Sequence, residues 1–214
     1  MILLVGVLAL AVIVGYAIGG RLRNLETLRL RWWGLAIGGL FLQLLPFPAS
    51  WPHGVGVAAL LASFVLLVVF GVLNWRVAGV PVILFGLCLN GLVIAVNQGM
   101  PVTLGALEGS GQASLLDELV HNGGTKHHLA TDGDHLVFLS DSIGIPKPIG
   151  QAVSVGDLLV YAGLVWAIAG AMRGRSRETA TAPQPEPASR PDPPEPPGPP
   201  GRSPATNPGT PPRS

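Results

Sequence analysis

The sequence predicts an all-α membrane protein with five transmembrane helices, a structured extracytoplasmic cap between the fourth and fifth helices, and a disordered C-terminal tail. Apolar residues make up 49% of the 214 positions and charged residues only 12%, in stretches that approach or exceed the length needed to cross a bilayer. One long polar segment, residues 97–156, separates the last two stretches. After Arg173 the composition changes to Pro, Glu, Ser, Arg and Gly.

The first three spans follow from apolar length and from the residues that bound them. Residues 1–18 carry no charge, and four arginines follow them: Arg21, Arg23, Arg29 and Arg31. A cleaved signal peptide has its positive charge ahead of the apolar run, so this segment is predicted to be a retained anchor. The second span, residues 32–47, begins with Trp32 and Trp33, which are typical of membrane interfaces, and ends at prolines. Residues 54–73 form the third span.

The fourth span covers residues 77–96 and the fifth covers residues 157–172. Asn90 and Asn97 are seven positions apart, so they lie on one helix face. Because an amide facing lipid lacks a partner, we expect this face to point inward and to form interhelical hydrogen bonds, with a substrate contact as the alternative. The fifth span begins with Ser154-Val-Gly-Asp157, in which the Ser hydroxyl and the carboxylate are spaced to cap a helix N-terminus.

Positive charge is distributed unequally between the two sides of this arrangement. Alternating five spans places the arginines at positions 21–31, Arg76 and the arginines after the fifth span on one side, and leaves Lys126 and Lys147 on the other. The positive-inside rule therefore predicts a cell-membrane protein with its N-terminus outside and its C-terminus in the cytoplasm. Residues 1–173 form the membrane domain, residues 97–156 form an outward-facing segment, here called the outer cap, and residues 174–214 form a Pro-rich cytoplasmic tail.

The outer cap is predicted to fold over the mouth of the helix bundle. Ser114–His121 has a capping residue and an amphipathic pattern typical of a short helix. Residues 136–139 and 143–146 are apolar enough to form interfacial or re-entrant pieces, and Gly99-Met-Pro101 ends the fourth helix. We expect the following polar residues beneath the cap: Gln43, Asn90, Asn97 and Asp157.

The sequence argues against a metal site, a cofactor site and a nucleic-acid interface. All five histidines fall on the outer side: His53, His121, His127, His128 and His135. They form no HExxH motif or other established metal spacing, and the single cysteine, Cys88, lies in an apolar stretch, so we predict no metal and no cofactor. The arginines cluster at the ends of spans and not on a basic face, so nucleic acid is not a predicted partner.

His127 and Asp141 are the candidate catalytic residues. His127 is placed as general base or nucleophile and Asp141 as the group that orients it, with Lys126 holding an anionic headgroup. No GxSxG motif or phosphate-binding glycine loop accompanies them. The candidate binding residues are Asn97, Met100, Pro101, Lys126 and Asp157.

Several short motifs occur in a fixed order along the chain. They are Asn97-x-Gly-Met-Pro101, Lys126-His127, Leu139-Ser-Asp141 with Ile145-Pro146, and Ser154-Val-Gly-Asp157. In this order they resemble a bacterial integral-membrane family of unknown function (DUF5317-like), over residues 1–173 and without the tail. The resemblance implies a multi-pass bacterial membrane protein and brings no established activity, cofactor or substrate.

Two classes of function fit these observations. The first is a non-enzymatic accessory or interaction component whose outer cap binds membrane lipid or another membrane protein, and the lack of a catalytic signature favours it. The second is an envelope enzyme that acts on a lipid or lipid-linked substrate at the outer leaflet through His127 and Asp141. A transporter is less favoured, because the spans carry neither repeats nor charged residues at mid-membrane.

Overall fold

A computed structural model describes residues 2–45, 52–112 and 126–174, together with the single positions 114, 116 and 119. Within the continuous ranges there are six α-helices: α1 (Ile2–Ala17), α2 (Trp33–Leu44), α3 (His53–Leu73), α4 (Val80–Asn97), α5 (Leu104–Ser110) and α6 (Val155–Arg173). Two short 3-10 helices cover Leu22–Thr27 and Val137–Leu139. The predicted helix at 114–121, the turn after α2 and the C-terminal tail lie outside the described residues.

Three helices are long and apolar enough to cross a membrane: α3 from Gly54, α4 and α6. The remaining two helices at predicted spans, α1 and α2, are apolar but shorter. All five coincide with a predicted span, and their ends differ from the predicted ends by at most three residues. Uninterrupted apolar sequence therefore predicted where the helices lie, while α2, with 12 residues, is well short of the ~20 residues of a full membrane crossing.

The helices pack in the order α1, α6, α4, α3 and α2. Small residues allow α4 and α6 to approach closely, as is common between helices in membranes. A Cβ atom at Gly86 would overlap the carbonyl oxygen of Gly156, and one at Gly79 would overlap that of Gly163. From the first contact to the second, the residue number falls along α4 and rises along α6, so α4 and α6 are antiparallel.

One end of the bundle collects the connections that carry arginine. The Arg21 amide donates to the Met172 carbonyl at 2.9 Å, and the Asn24 side chain donates to the same oxygen at 2.6 Å. The Asn74 side chain accepts from the Arg31 amide at 2.8 Å and donates to the Arg31 carbonyl at 3.0 Å. The end of α1, the end of α6 and the α3–α4 connection therefore meet at this end.

The outer cap contains strands, which corrects the all-α prediction. β1 (Met100–Val102) pairs in parallel with β2 (His127–Leu129), and β3 (Ile143–Ile145) pairs antiparallel with β4 (Gln151–Val153). The segment expected to be interfacial or re-entrant at 143–146 is thus mostly a paired strand. Only Val137–Leu139, where Phe138 is 68% exposed, keeps the apolar surface that the sequence indicated.

A small apolar cluster joins the outer cap to the helices. It comprises Leu60 of α3, Val93 and Ile94 of α4, and Met100 of β1. Leu136, just before the second 3-10 helix, and Leu139, the last residue of that helix, pack against the cluster. After α4, Gln98 is exposed and has a left-handed backbone conformation, and Gly99 leads from it into the buried strand β1.

Candidate functional site

The N-terminus of α6 has the predicted cap. The Ser154 hydroxyl accepts from the Asp157 amide at 2.9 Å, and the Asp157 carboxylate accepts from the Ser154 amide at 3.1 Å. Both halves of a capping box are therefore formed. The prediction that this motif begins the last helix is confirmed, although the helix begins at Val155 and not at Asp157.

Asn90 of α4 completes this arrangement from the neighbouring helix. Its Nδ2 donates to Asp157 Oδ1 at 2.7 Å, and its Oδ1 accepts from the Ser154 hydroxyl at 2.9 Å. A Cβ atom at Gly156 would collide with the Asn90 side chain, so the glycine makes room for it. The predicted interhelical hydrogen bond of Asn90 is confirmed.

Strand β1 places two side chains from distant parts of the chain next to each other. On one side it pairs Met100 with His127 of β2. On its other side the Asp141 amide donates to the Pro101 carbonyl at 3.1 Å, and the Asp141 carbonyl accepts from the Thr103 amide at 3.2 Å. Backbone hydrogen bonds thus bring His127 and Asp141 together across β1.

The His127 and Asp141 side chains are close but do not form a hydrogen bond. His127 Nε2 lies 3.7 Å from Asp141 Oδ2, beyond hydrogen-bonding distance. Asp141 is only 8% exposed. Among the residues that the structure describes, neither its carboxyl group nor the His127 ring has a hydrogen-bond partner. Within the described residues, no fully buried side-chain nitrogen or oxygen lacks a hydrogen-bond partner, so the Asp141 oxygens reach the open space beside them.

Both side chains line a cavity of about 190 Å³ at the end of the bundle that carries the outer cap. Its polar lining residues are Gln43, Asn90, Lys126, His127, Asp141 and Asp157. Its apolar lining residues are Leu60, Phe64, Ile94 and Met100. The lining of the cavity therefore combines polar and apolar side chains.

Electrostatics set the protonation of the His127–Asp141 pair. Burial, with the Asp157 carboxylate nearby, raises the pKa of Asp141 to about 8. Burial also lowers the pKa of His127 below its ordinary value of 6.5, and Lys126 acts in the same direction. Because the His127 side chain keeps 49% of its surface accessible, solvent offsets part of this lowering of the His127 pKa. At neutral pH the pair is therefore a protonated acid beside an uncharged imidazole, and not an ion pair.

Lys126 connects the outer cap to α2. Its Nζ donates to the Gln43 carbonyl at 2.5 Å and to the Leu45 carbonyl at 2.8 Å. These carbonyls belong to the C-terminal end of α2, where helix carbonyls lack helical partners and the helix dipole is negative. The expectation that Lys126 holds an anionic headgroup has a competing explanation, because this ammonium stabilises a helix end.

Two other candidate binding residues, Asn97 and Pro101, are not among the residues that line the cavity. The Asn97 side chain accepts from the His135 amide at 2.7 Å and donates to the His135 carbonyl at 2.9 Å, so it holds the loop before the second 3-10 helix. Pro101 is fully buried in β1. Their positions indicate structural roles beside the cavity.

His128 and Asp134 form a separate pair that stabilises a turn. His128 Nε2 lies 2.9 Å from Asp134 Oδ1, and Asp134 Oδ2 accepts from the Thr131 amide at 2.7 Å. Within the described ranges, no group of three or more His, Cys, Asp or Glu side chains is placed to hold a metal ion.

The apolar lining of the cavity was not predictable from the sequence. Leu60, Phe64 and Ile94 are typical residues of apolar spans, and nothing in their spacing distinguishes them from their neighbours. Only the packing of α3 against α4 below β1 shows that they face the polar groups.

The class of protein that this fold fits is the helical membrane protein, because three of its helices are long and apolar enough to span a bilayer. A family model, described as a family of unknown function (DUF5317), matches residues 27–169. The chain belongs to this family. Neither a curated protein nor a solved structure matches it.

Proposed function

We propose that this chain is a five-span membrane protein whose outer cap closes a cavity that binds the polar head of a membrane amphiphile. The observation that carries the proposal is the Asp141 carboxyl group, which faces the cavity beside the His127 ring and has no hydrogen-bond partner among the described residues. A carboxyl group that is mostly shielded from solvent gains from a hydrogen-bonding ligand. A ligand head in the cavity satisfies Asp141 and His127 together.

The size and lining of the cavity support a ligand with two unlike ends. About 190 Å³ is smaller than the ~300–1,000 Å³ typical of sites for drug-sized molecules, so it suits a head group and not a whole lipid. The apolar floor of Leu60, Phe64 and Ile94 suits the first carbons of an attached chain. In the described residues α2 packs mainly on α3, and α6 packs on α1 and α4. The space between α2 and α6 is the route by which such a chain leaves toward lipid.

The five-span arrangement and its orientation belong to this proposal. The shorter helices α1 and α2 pack along α6 and α3 respectively, as further spans do. The arginine-bearing connections meet at one end of the bundle, and the end with the outer cap carries Lys126 and Lys147. The positive-inside rule then supports an outward N-terminus and cap and a cytoplasmic C-terminus.

Reporter fusions test this topology. A reporter that is active only in the cytoplasm is expected to be active when it is fused after Arg173. A reporter that is active only outside the cell membrane is expected to be active when it is inserted at Asp132, an exposed position of the outer cap. Activity of the external reporter after Arg173 contradicts the orientation.

Native mass spectrometry tests ligand binding. The protein, purified in mild detergent, is expected to retain an amphiphile. Gln43→Phe places a ring in the cavity and is expected to remove that amphiphile, whereas Phe85→Leu, at a helix position 60% exposed, is expected to leave it bound. Equal retention by both variants contradicts binding in the cavity.

The alternative is an envelope enzyme with His127 as base and Asp141 as acid. The observation in its favour is the 3.7 Å separation of a neutral imidazole and a protonated carboxyl in one cavity, a combination suited to general acid–base catalysis. The test is turnover of labelled membrane lipids by the purified protein. The expected pH–rate profile rises through the lowered pKa of His127 and falls near pH 8, and either His127→Ala or Asp141→Asn removes the activity. Turnover that survives both changes rules out this mechanism.

A further inference from the structure

We propose that the head group bound in this cavity carries a primary ammonium, so that the ligand is an amine-bearing amphiphile. This inference rests on the proposed function and adds the chemical class of the ligand. It depends on which hydrogen-bonding groups face the cavity and on how the charges around it are already compensated.

Hydrogen-bond acceptors from two separate elements face the cavity. Each Asp157 oxygen accepts one hydrogen bond, from Asn90 or from the Ser154 amide. Because a carboxylate oxygen has a second lone pair, Asp157 retains acceptor capacity. Asp141, beside β1, accepts none among the described residues. An ammonium group supplies three N–H donors on one atom, which suits two carboxyl groups in one small cavity.

The charge balance disfavours an anionic head group. Lys126 also lines the cavity, but its ammonium donates to the Gln43 and Leu45 carbonyls, whose partial negative charge at the end of α2 compensates it. A phosphate in the cavity meets the negative charge of the Asp157 carboxylate, and it cannot donate the N–H bonds that the free carboxyl lone pairs accept. A metal ion is disfavoured because the described residues provide no cluster of three or more side-chain ligands.

An ammonium bound between the two carboxyl groups has a proton consequence. The titratable groups around Asp141 are Asp157 and Tyr161 of α6 and Lys126 and His127 at β2. Without a ligand Asp141 keeps its proton up to about pH 8. A cation beside it favours the carboxylate, so binding at neutral pH releases up to one proton from Asp141 to solvent.

Lipid competition tests the class of head group. The full-length protein is reconstituted in nanodiscs with equal amounts of phosphatidylethanolamine, phosphatidylcholine and phosphatidylglycerol, and the retained lipid is identified by native mass spectrometry. Phosphatidylethanolamine is expected to be retained about tenfold over the other two, because the choline head cannot donate N–H bonds and the glycerol head carries no cation. Displacement of the retained lipid by free ethanolamine assigns recognition to the ammonium alone, and failure to displace it assigns recognition to the amine-bearing lipid.

Paired variants separate this inference from the proposed function. Asp141→Asn is expected to lose the tenfold selectivity and the proton release, whereas Asp132→Asn makes the same charge change at an exposed position of the cap and is expected to keep both. If the wild type retains the three lipids equally and Gln43→Phe retains none, the ammonium inference is wrong and the binding function stands. If Gln43→Phe retains as much lipid as the wild type, both are wrong.

Discussion

Asp141 is expected to make the stability of this protein fall as pH rises. Its pKa is raised from an ordinary 3.8 to about 8 in the folded chain. A carboxyl group with a raised pKa binds its proton more tightly when folded, so its contribution is fully present below about pH 4 and decreases as pH rises to about 8. Asp141→Asn replaces the group with a neutral amide of similar shape and removes this titration.

The magnitude follows from the size of the pKa change. At ~1.36 kcal/mol per pKa unit, the rise to about 8 corresponds to a ceiling of about 6 kcal/mol. Water that reaches the cavity solvates part of the charge, so we expect the wild type to lose about 2–4 kcal/mol of unfolding free energy between about pH 5 and about pH 9. The advantage of Asp141→Asn over the wild type is therefore expected to grow by this amount between about pH 5 and about pH 9.

Denaturant unfolding in detergent micelles at a series of pH values measures this difference. His127 contributes with the opposite sign, because a lowered histidine pKa reduces stability as pH falls below about 6.5. The difference between the two pH curves therefore isolates Asp141, and Asp132→Asn serves as the control for a surface charge change. Parallel curves for the wild type and Asp141→Asn would refute the reasoning.

Three further substitutions test the structural contacts around the cavity. Asn90→Asp turns the donor to Asp157 into an acceptor, so it is expected to lower the unfolding temperature more than Asn90→Ala, which costs about 1–3 kcal/mol; the reverse order contradicts the assigned contact. Lys126→Met removes the ammonium from the end of α2, so we expect faster hydrogen exchange of the backbone amides at that helix end. Unchanged exchange contradicts a stabilising role of Lys126. Gly86→Leu is expected to destabilise by about 1–3 kcal/mol or more in thermal unfolding, whereas Gly6→Leu, in open space, does not; equal effects contradict the close packing of α4 on α6.

The sequence predicted the helices well because their signals are local. Uncharged apolar runs, the arginines that follow them and the Ser154–Asp157 spacing each act within a few residues. The strands were missed for the opposite reason. β1 and β2 have three residues each, and their pairing joins Met100 to His127, so no short window of sequence contains the signal. The chain is mostly helical, and the sequence analysis missed these strands because their contacts are long-range.

The candidate site was predictable in part, because polar residues next to apolar spans are few. Five of the seven candidate residues line one cavity: Met100, Lys126, His127, Asp141 and Asp157. Asn97 does not line the cavity, because its side chain bonds to the His135 backbone. This contact was not predictable, since His135 is 38 residues away along the chain.

Asp157 shows why a structural and a functional explanation of one residue are compatible. Its carboxylate caps α6 through Ser154 and joins α6 to α4 through Asn90, which accounts for a charged residue at the start of an apolar helix. The same negative charge favours the protonated form of Asp141 across the cavity. A change that removes this charge, such as Asp157→Asn, therefore alters both the helix start and the acid–base state of the site. The two roles can be tested separately at Asn90, which donates a hydrogen bond to the Asp157 carboxylate, and at Asp141, whose pKa that carboxylate raises.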